Sequence, residues 1–192
     1  MSLKDKKIGF AMTGSFCTFK ICLEELKRLC ETGAQVMPIL SYNAANTDTR
    51  FMTSENLKQK IEEITGKAPI YSIVEVEPIG PKKLLDLLII APCTGNTLAK
   101  IANSISDTPV TLAVKSHLRN GGPILIAVST NDGLAANAKN LGLILNMKNI
   151  YFVPFMQDDY QKKCNSLIAD MGLIIPAAWS ALNGEQLQPL LV

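Results

Sequence analysis

The chain has 192 residues, 47% of them hydrophobic and 19% charged, with a net charge of +2 at neutral pH. A chain of that length removes about 70% of its unfolded surface from water, so it needs no staples, and its apolar content excludes disorder. The near-neutral charge gives no case for nucleic acid or an anionic membrane; no apolar run reaches the ~18–20 residues of a spanning helix, and residues 1–7 do not read as a signal peptide, so a soluble, cytoplasmic chain is expected.

Residues 7–12 (KIGFAM) form a short apolar run ending at Thr13-Gly14-Ser15, a tight turn with a capping residue type. Residues 16–32 carry Phe19, Cys22, Leu23, Leu26, Leu29 and Cys30 at helical spacing. Lys20, Glu24, Glu25, Lys27 and Arg28 take the outward positions, and Gly33 stops the helix. Residues 34–40 (AQVMPIL) read as a second strand, ended by Ser41 and a polar stretch through Arg50. A helix is expected over 54–64, with a break at 66–69. Residues 87–90 (LLII) give a third strand, followed by Pro92-Cys93-Thr94-Gly95-Asn96 and helices over 97–104 and 111–118. Residues 124–129 (ILIAVS) give a fourth strand and 134–145 the helix after it. Residues 150–155 (IYFVPF) give a fifth strand, and 162–171 a late helix.

Strands without alternation, each followed by an amphipathic helix, predict a parallel sheet covered on both faces. The expected fold is one doubly wound, Rossmann-like or flavodoxin-like α/β domain of three layers over residues 1–192, with 151–192 a less regular lid and C-terminal segment.

Five cysteines without a CxxC pair read as free thiols. With His117 the only histidine, no metal site is expected, and any Ser-His-Asp or Cys-His hydrolase would hang on that one residue. In such folds ligands bind beyond the carboxyl ends of the strands, here the loops 13–15, 41–50, 92–96 and 129–133. All are rich in Ser, Thr, Asn and Gly, which suits an anion held by hydroxyls and helix N-termini. Residues 9–16 (GFAMTGSF) lack the Lys and hydroxyl residue of a P-loop. They also lack GxGxxG, and Ser41 stands where a dinucleotide fold keeps its acid. A single phosphate with hydroxyl partners remains, as in a flavin mononucleotide; the alternative is that Thr13 and Ser15 cap a helix.

Together, Thr13-Gly14-Ser15, residues 41–44 (SYNA) and residues 91–103 (APCTGNTLAKIAN) resemble the flavoprotein family of homo-oligomeric FMN-binding cysteine decarboxylases. The third segment is similar to that family's APATANTIAKxAxGxADxL signature, with Asp107 near its acidic position. The resemblance implies that Gly14 and Ser15 face the FMN phosphate and that Ser41, Thr94, Asn96 and Thr97 line the rest of the pocket. Two departures stand out. Pro78 falls where the decarboxylases keep a histidine, and of their PAMNxxMW-like segment only Asn131 is matched. Proline cannot shuttle a proton, which disfavours an FMN-dependent decarboxylase or flavin prenyltransferase-like activity.

Residues 41–51 (SYNAANTDTRF), 91–120, 129–140 (STNDGLAANAKN) and 151–167 resemble a narrower branch, the dipicolinate synthase B subunits. That resemblance implies sporulation-linked oxidation, in the mother cell, of a dihydro- or hydroxytetrahydro-dipicolinate to pyridine-2,6-dicarboxylate. It also implies an A subunit as partner that binds NADP, and a B chain with either an FMN pocket or a scaffold that has lost it. Relatives assemble as trimers or dodecamers, so a homo-oligomer is expected; the apolar end 187–192 would leave surface for one.

Arg50 suits bidentate pairing with a substrate carboxylate, or is a solvated arginine. Lys162 and Lys163 follow the segment 157–161, where by resemblance the lid over substrate lies; the alternative is a solvated pair. Asn131 is the residue expected to reach substrate or flavin, with Asp132 capping the next helix and Gly133 allowing a sharp turn. Cys93 reads as a small buried thiol, His117 as a surface or interface residue, and Trp179 as packing for the C-terminal segment or an interface.

Overall fold

The apolar runs of the sequence pair side by side in a computed structural model that describes residues 3–192. Strands β1 (Lys7–Met12), β2 (Gln35–Leu40), β3 (Leu87–Cys93) and β4 (Ile124–Thr130) run parallel in the order β2-β1-β3-β4. Ile8 lies between Val36 and Leu87, and Leu88 beside Ile124. β3 is buried throughout and β4 at all but its last residue, which is why LLIIAPC and ILIAVST show no alternation. The chain steps outward from β1 to β2 and then returns past β1 to β3. That reversal opens a crevice beyond the carboxyl ends of β1 and β3.

The connections supply α1 (Phe19–Glu31), α2 (Tyr42–Asn46), α3 (Ser54–Thr65), α4 (Ile73–Val76), α5 (Gly95–Ala102), α6 (Pro109–Leu118), α7 (Ala138–Leu145) and α8 (Ile174–Leu182). Helices α1 and α8 pack on each other and on β3, while α6 lies across β2, β3 and β4 beside α5. α1 buries Phe19, Cys22, Leu23, Leu26 and Leu29, and each Phe or Leu is worth roughly 1.5–3 kcal/mol when fully removed from water. Glu25, expected to face outward, is buried instead, and both its oxygens accept from Arg28 at 2.7 and 3.0 Å. Gly33, at φ +84°, lets the chain leave α1 in a left-handed conformation.

The last third departs furthest from expectation. The fifth strand is divided at Val153-Pro154. β5 (Ile150–Phe152) pairs in parallel with the first half of β4, whereas β6 (Phe155–Asp159) turns away. The helix expected over 162–171 is a strand, β7 (Lys163–Ala169), antiparallel to β6. Cys164, Leu167, Ile168 and Met171 do have helical spacing. A hairpin partner and the open edge of β4 at Ser129 and Thr130 override it, because β7 pairs there through Ile168 and Leu167. The helix expected over 134–145 begins only at Ala138, and α2, α4 and α8 add regular structure where none was expected. Among the described residues, no helix is long and apolar enough to cross a membrane, and no group of three His, Cys, Asp or Glu could hold a metal ion.

Candidate functional site

The crevice is built by hydroxyls that tie strand ends together. Buried Thr13 donates through Oγ1 to the carbonyl of Pro92 at 2.7 Å and accepts from the Thr94 N–H at 2.9 Å, locking β1 to β3. Thr94 is the N-cap of α5: its Oγ1 accepts from the Thr97 N–H at 3.3 Å and donates to Thr97 Oγ1 at 3.1 Å. A helix of this kind leaves its first N–H groups without intrahelical acceptors and pointing at the crevice. Ser41 caps α2, accepting from the Ala44 N–H at 3.2 Å. Ser15 makes no capping bond; its hydroxyl meets that of Ser129, at the end of β4, at 2.8 Å.

Two adjoining cavities share Gly14 and Thr94. One, of about 690 Å³, is lined by Ser15, Phe16, Arg50, Phe51, Ser129, Asn131, Asp158, Lys163 and Ser166 among others. The other, of about 570 Å³, reaches Ser41, Asn43, Asn96, Thr97, Lys100 and Asp107. The structure therefore brings Gly14, Ser15, Thr94, Arg50, Asn131 and Lys163 together around one space and sets Ser41, Asn96 and Thr97 around its neighbour. Lys162 is not among the lining residues; it sits in the β6–β7 turn with its N–H donated to Asp159 at 3.0 Å.

Charge is confined to a few side chains. The Arg50 guanidinium lies 4.8 Å from the centre of the Phe51 ring. Lys163 Nζ donates to Asp158 at 2.6 Å, and that bond holds the ammonium above its ordinary range. Lys100 donates to both oxygens of Asp107 at 2.7 Å, which keeps that carboxyl below the usual range.

Asp132 does not cap a helix. It accepts from Thr130 Oγ1 at 2.5 Å and from Asn137 Nδ2 at 2.9 and 2.8 Å, and the Thr130 bond chiefly lowers its carboxyl. Asn137 in turn accepts from Asn140 at 2.8 Å. Gly95 is pressed against this network: a Cβ there would fall onto Thr130 Oγ1 and 2.8 Å from Asp132 Oδ1. Gly133 serves close approach, not a turn of special φ, since a Cβ would lie 2.7 Å from Leu167. The crevice wall is thus clamped to β7, with Leu134 N–H also donating to the Asn165 carbonyl at 3.0 Å.

Cys93 is buried and its thiol is pushed up to about 12 by desolvation, as an inert packing residue would be. His117, expected at the surface or an interface, is buried within the chain. It sits near Gly122 and Pro123, before the start of β4 and so at the opposite end of the sheet from the crevice. Pro78 lies in a short turn, residues 77–79, packed against α6, and lines neither cavity. Trp179 is partly exposed on α8. Sequence reasoning did not single out Ser129, Phe51, Asp158 or Ser166 as site residues. Ser129 was legible as the hydroxyl ending a buried strand, but Asp158 and Ser166 come into the crevice only because the segment after Pro154 folds as β6 and β7.

Residues 1–176 match the family model described as Flavoprotein. The dipicolinate synthase B subunit of Bacillus subtilis (strain 168) is 46% identical over 191 residues, covering 100% of this chain and 96% of that protein. The crystal structure of the dipicolinate synthase B subunit from Bacillus halodurans C superposes with a TM-score of 0.92 at 43% identity, covering 100% of this chain and 98% of that one. The FMN-dependent cysteine decarboxylase SpaF shares the fold, with a TM-score of 0.68 at 19% identity over 95% of this chain and 99% of that one. The chain belongs to the Flavoprotein family and, within it, to the family of dipicolinate synthase B subunits.

Proposed function

We propose that the crevice binds FMN and a planar pyridine-type dicarboxylate, and that the chain is the B subunit of a dipicolinate synthase. In this reading it helps oxidise a dihydro- or hydroxytetrahydro-dipicolinate to pyridine-2,6-dicarboxylate, with an A subunit that holds NADP. The observation that carries the reading is the meeting, in one crevice, of a hydroxyl-rich end at Ser15, Thr94 and Ser129 with a cationic and aromatic end at Arg50, Phe51 and Lys163. The full-length likeness to B subunits supplies the choice of reaction.

The residues present fit a flavin nucleotide. Cavities of about 690 and 570 Å³ that share Gly14 and Thr94 fall within the range of small-ligand sites, roughly 300–1,000 Å³ each. The donor set of serine and threonine hydroxyls, the Asn96 amide and the α5 N-terminus suits a phosphomonoester better than a triphosphate. Gly14, Ser15, Thr94 and Thr97 would hold the phosphate end, with Ser41 and Asn96 along the remainder. A bound flavin supplies a hydride acceptor. Arg50 and Lys163 would each take one carboxylate, Lys162 would stand at the rim, and Asn131 would orient the ring. The β6–β7 hairpin excludes water from one side. Residues 1–192 would act as one domain, assembled as a homo-oligomer such as a trimer or dodecamer. Exposed Val74 (81%) and Leu191 (69%) supply apolar surface for that assembly.

The histidine that the resemblance gives the decarboxylases has no counterpart here: Pro78 takes its place, and no histidine lines either cavity. The test is dipicolinate formation by the two purified subunits, separately and mixed. Activity only in the mixture supports the reading. A B chain that oxidises substrate alone, or an A chain fully active without it, contradicts it.

A further inference from the structure

The cation at one end of the crevice already has a carboxylate. Lys163 Nζ lies 2.6 Å from Asp158 Oδ2, and both side chains line the same cavity as Arg50. Arg50 forms no ion pair with a described residue; it faces the Phe51 ring. The hairpin does not depend on Asp158 for its shape. Asp159 closes the turn, accepting the N–H groups of Gln161 and Lys162 at 3.2 and 3.0 Å, and Gln157 donates to the Cys164 carbonyl at 2.9 Å. The Asp158–Lys163 pair is also solvent-accessible, with side chains 31% and 55% exposed. A pair of that kind is weak and readily exchanged.

We propose that Asp158 competes with the ligand for Lys163, so that binding exchanges the Asp158 carboxylate for a ligand carboxylate. An incoming carboxylate that merely replaces Asp158 gains little. A ligand whose second carboxylate reaches Arg50 gains a charge-assisted contact that the protein does not satisfy internally. A monoanion can take Arg50 and leave the Asp158–Lys163 pair in place, so the competition lowers affinity only for a ligand whose second carboxylate reaches Lys163. This inference rests on the reading of the crevice as a dicarboxylate site.

Calorimetric titration of pyridine-2,6-dicarboxylate into the purified chain, D158N, K163Q and the double variant tests it. D158N is expected to bind about two- to fivefold more tightly than the parent, the range set by an exposed ion pair. That gain should vanish in the K163Q background. Asp158→Ser, with the same expectation, guards against a folding defect peculiar to D158N. Unchanged or weaker binding by both Asp158 variants, or an equal gain without Lys163, overturns the exchange while leaving the crevice reading intact. Absence of binding to all five proteins overturns the crevice reading itself.

Discussion

Ser15 and Ser129 join their hydroxyls at 2.8 Å although 114 positions separate them in the chain. The bond ties the loop after β1 to the end of β4, so it sets the distance between two walls of the crevice. Ser129→Ala removes one neutral hydrogen bond, worth about 0.5–1.5 kcal/mol. FMN affinity should fall by roughly two- to tenfold, read by flavin fluorescence, and the melting temperature by about 1–6 °C, the range a lost bond of that size gives in a chain of this length. An unaltered affinity would show that the bond positions nothing.

Arg50 stacks on Phe51 and has no described carboxylate partner, which leaves its fork available to a ligand. Arg50→Gln should weaken pyridine-2,6-dicarboxylate binding by about ten- to a hundredfold, the worth of a charged hydrogen bond. Flavin affinity should stay within about twofold, because the arginine lines the aromatic end of the crevice and not the cavity of Asn96 and Thr97. Equal losses for both ligands would mean that the two ends are not separate.

Asp132 anchors Thr130 and Asn137 against the N-terminus of α5. Asp132→Asn leaves partners competing for one acceptor and should cost about 1–3 kcal/mol at neutral pH. The folded carboxyl is held below its unfolded value of about 3.9, chiefly by Thr130, so its contribution is present above that value. It is lost as pH falls through the lower, folded value. Urea midpoints for parent and variant should therefore converge in acid; a gap of constant size would refute the assignment.

His117 works in a different window. Burial is the main cause that lowers its folded pKa, and its Nε2 has no partner among the described residues. The unfolded chain thus takes up the proton first, near pH 6.5. Stability is complete above that pH and declines below it until the folded imidazole also titrates. His117→Gln should flatten the melting temperature between about pH 7 and 5. A slope that persists in the variant would assign it to other groups.

The parallel sheet and its crevice were legible because unbroken apolar runs such as LLII and ILIAVS have few other uses, and because each ends in a hydroxyl-rich loop. Thr94 and Thr97 were expected at the pocket through the resemblance of residues 91–103, and the helix expected over 97–104 begins two residues earlier, at Gly95, with Thr94 as its N-cap. The hairpin was not legible. The 164, 167, 168, 171 spacing fits a helix equally well, and only the unpaired edge of β4 decides for a strand. Asp158 was missed for that reason: its place in the crevice depends on pairing between β6 and β7. His117 was misplaced because it stands between Lys115 and Arg119 in a helix that reads as amphipathic, whereas the ring is covered by Gly122, where a Cβ would have no room.

In the proposed function, Gly14, Ser15 and the α5 N-terminus receive the phosphate of a flavin mononucleotide. Titrating FMN into the purified chain and into Ser15→Asp, followed by flavin absorbance and fluorescence, tests it most directly. The parent should form a saturable yellow complex at micromolar concentrations. The variant, which sets a carboxylate against the phosphate, should lose at least about tenfold in affinity. No complex with the parent, or an undiminished one with Ser15→Asp, would contradict the account.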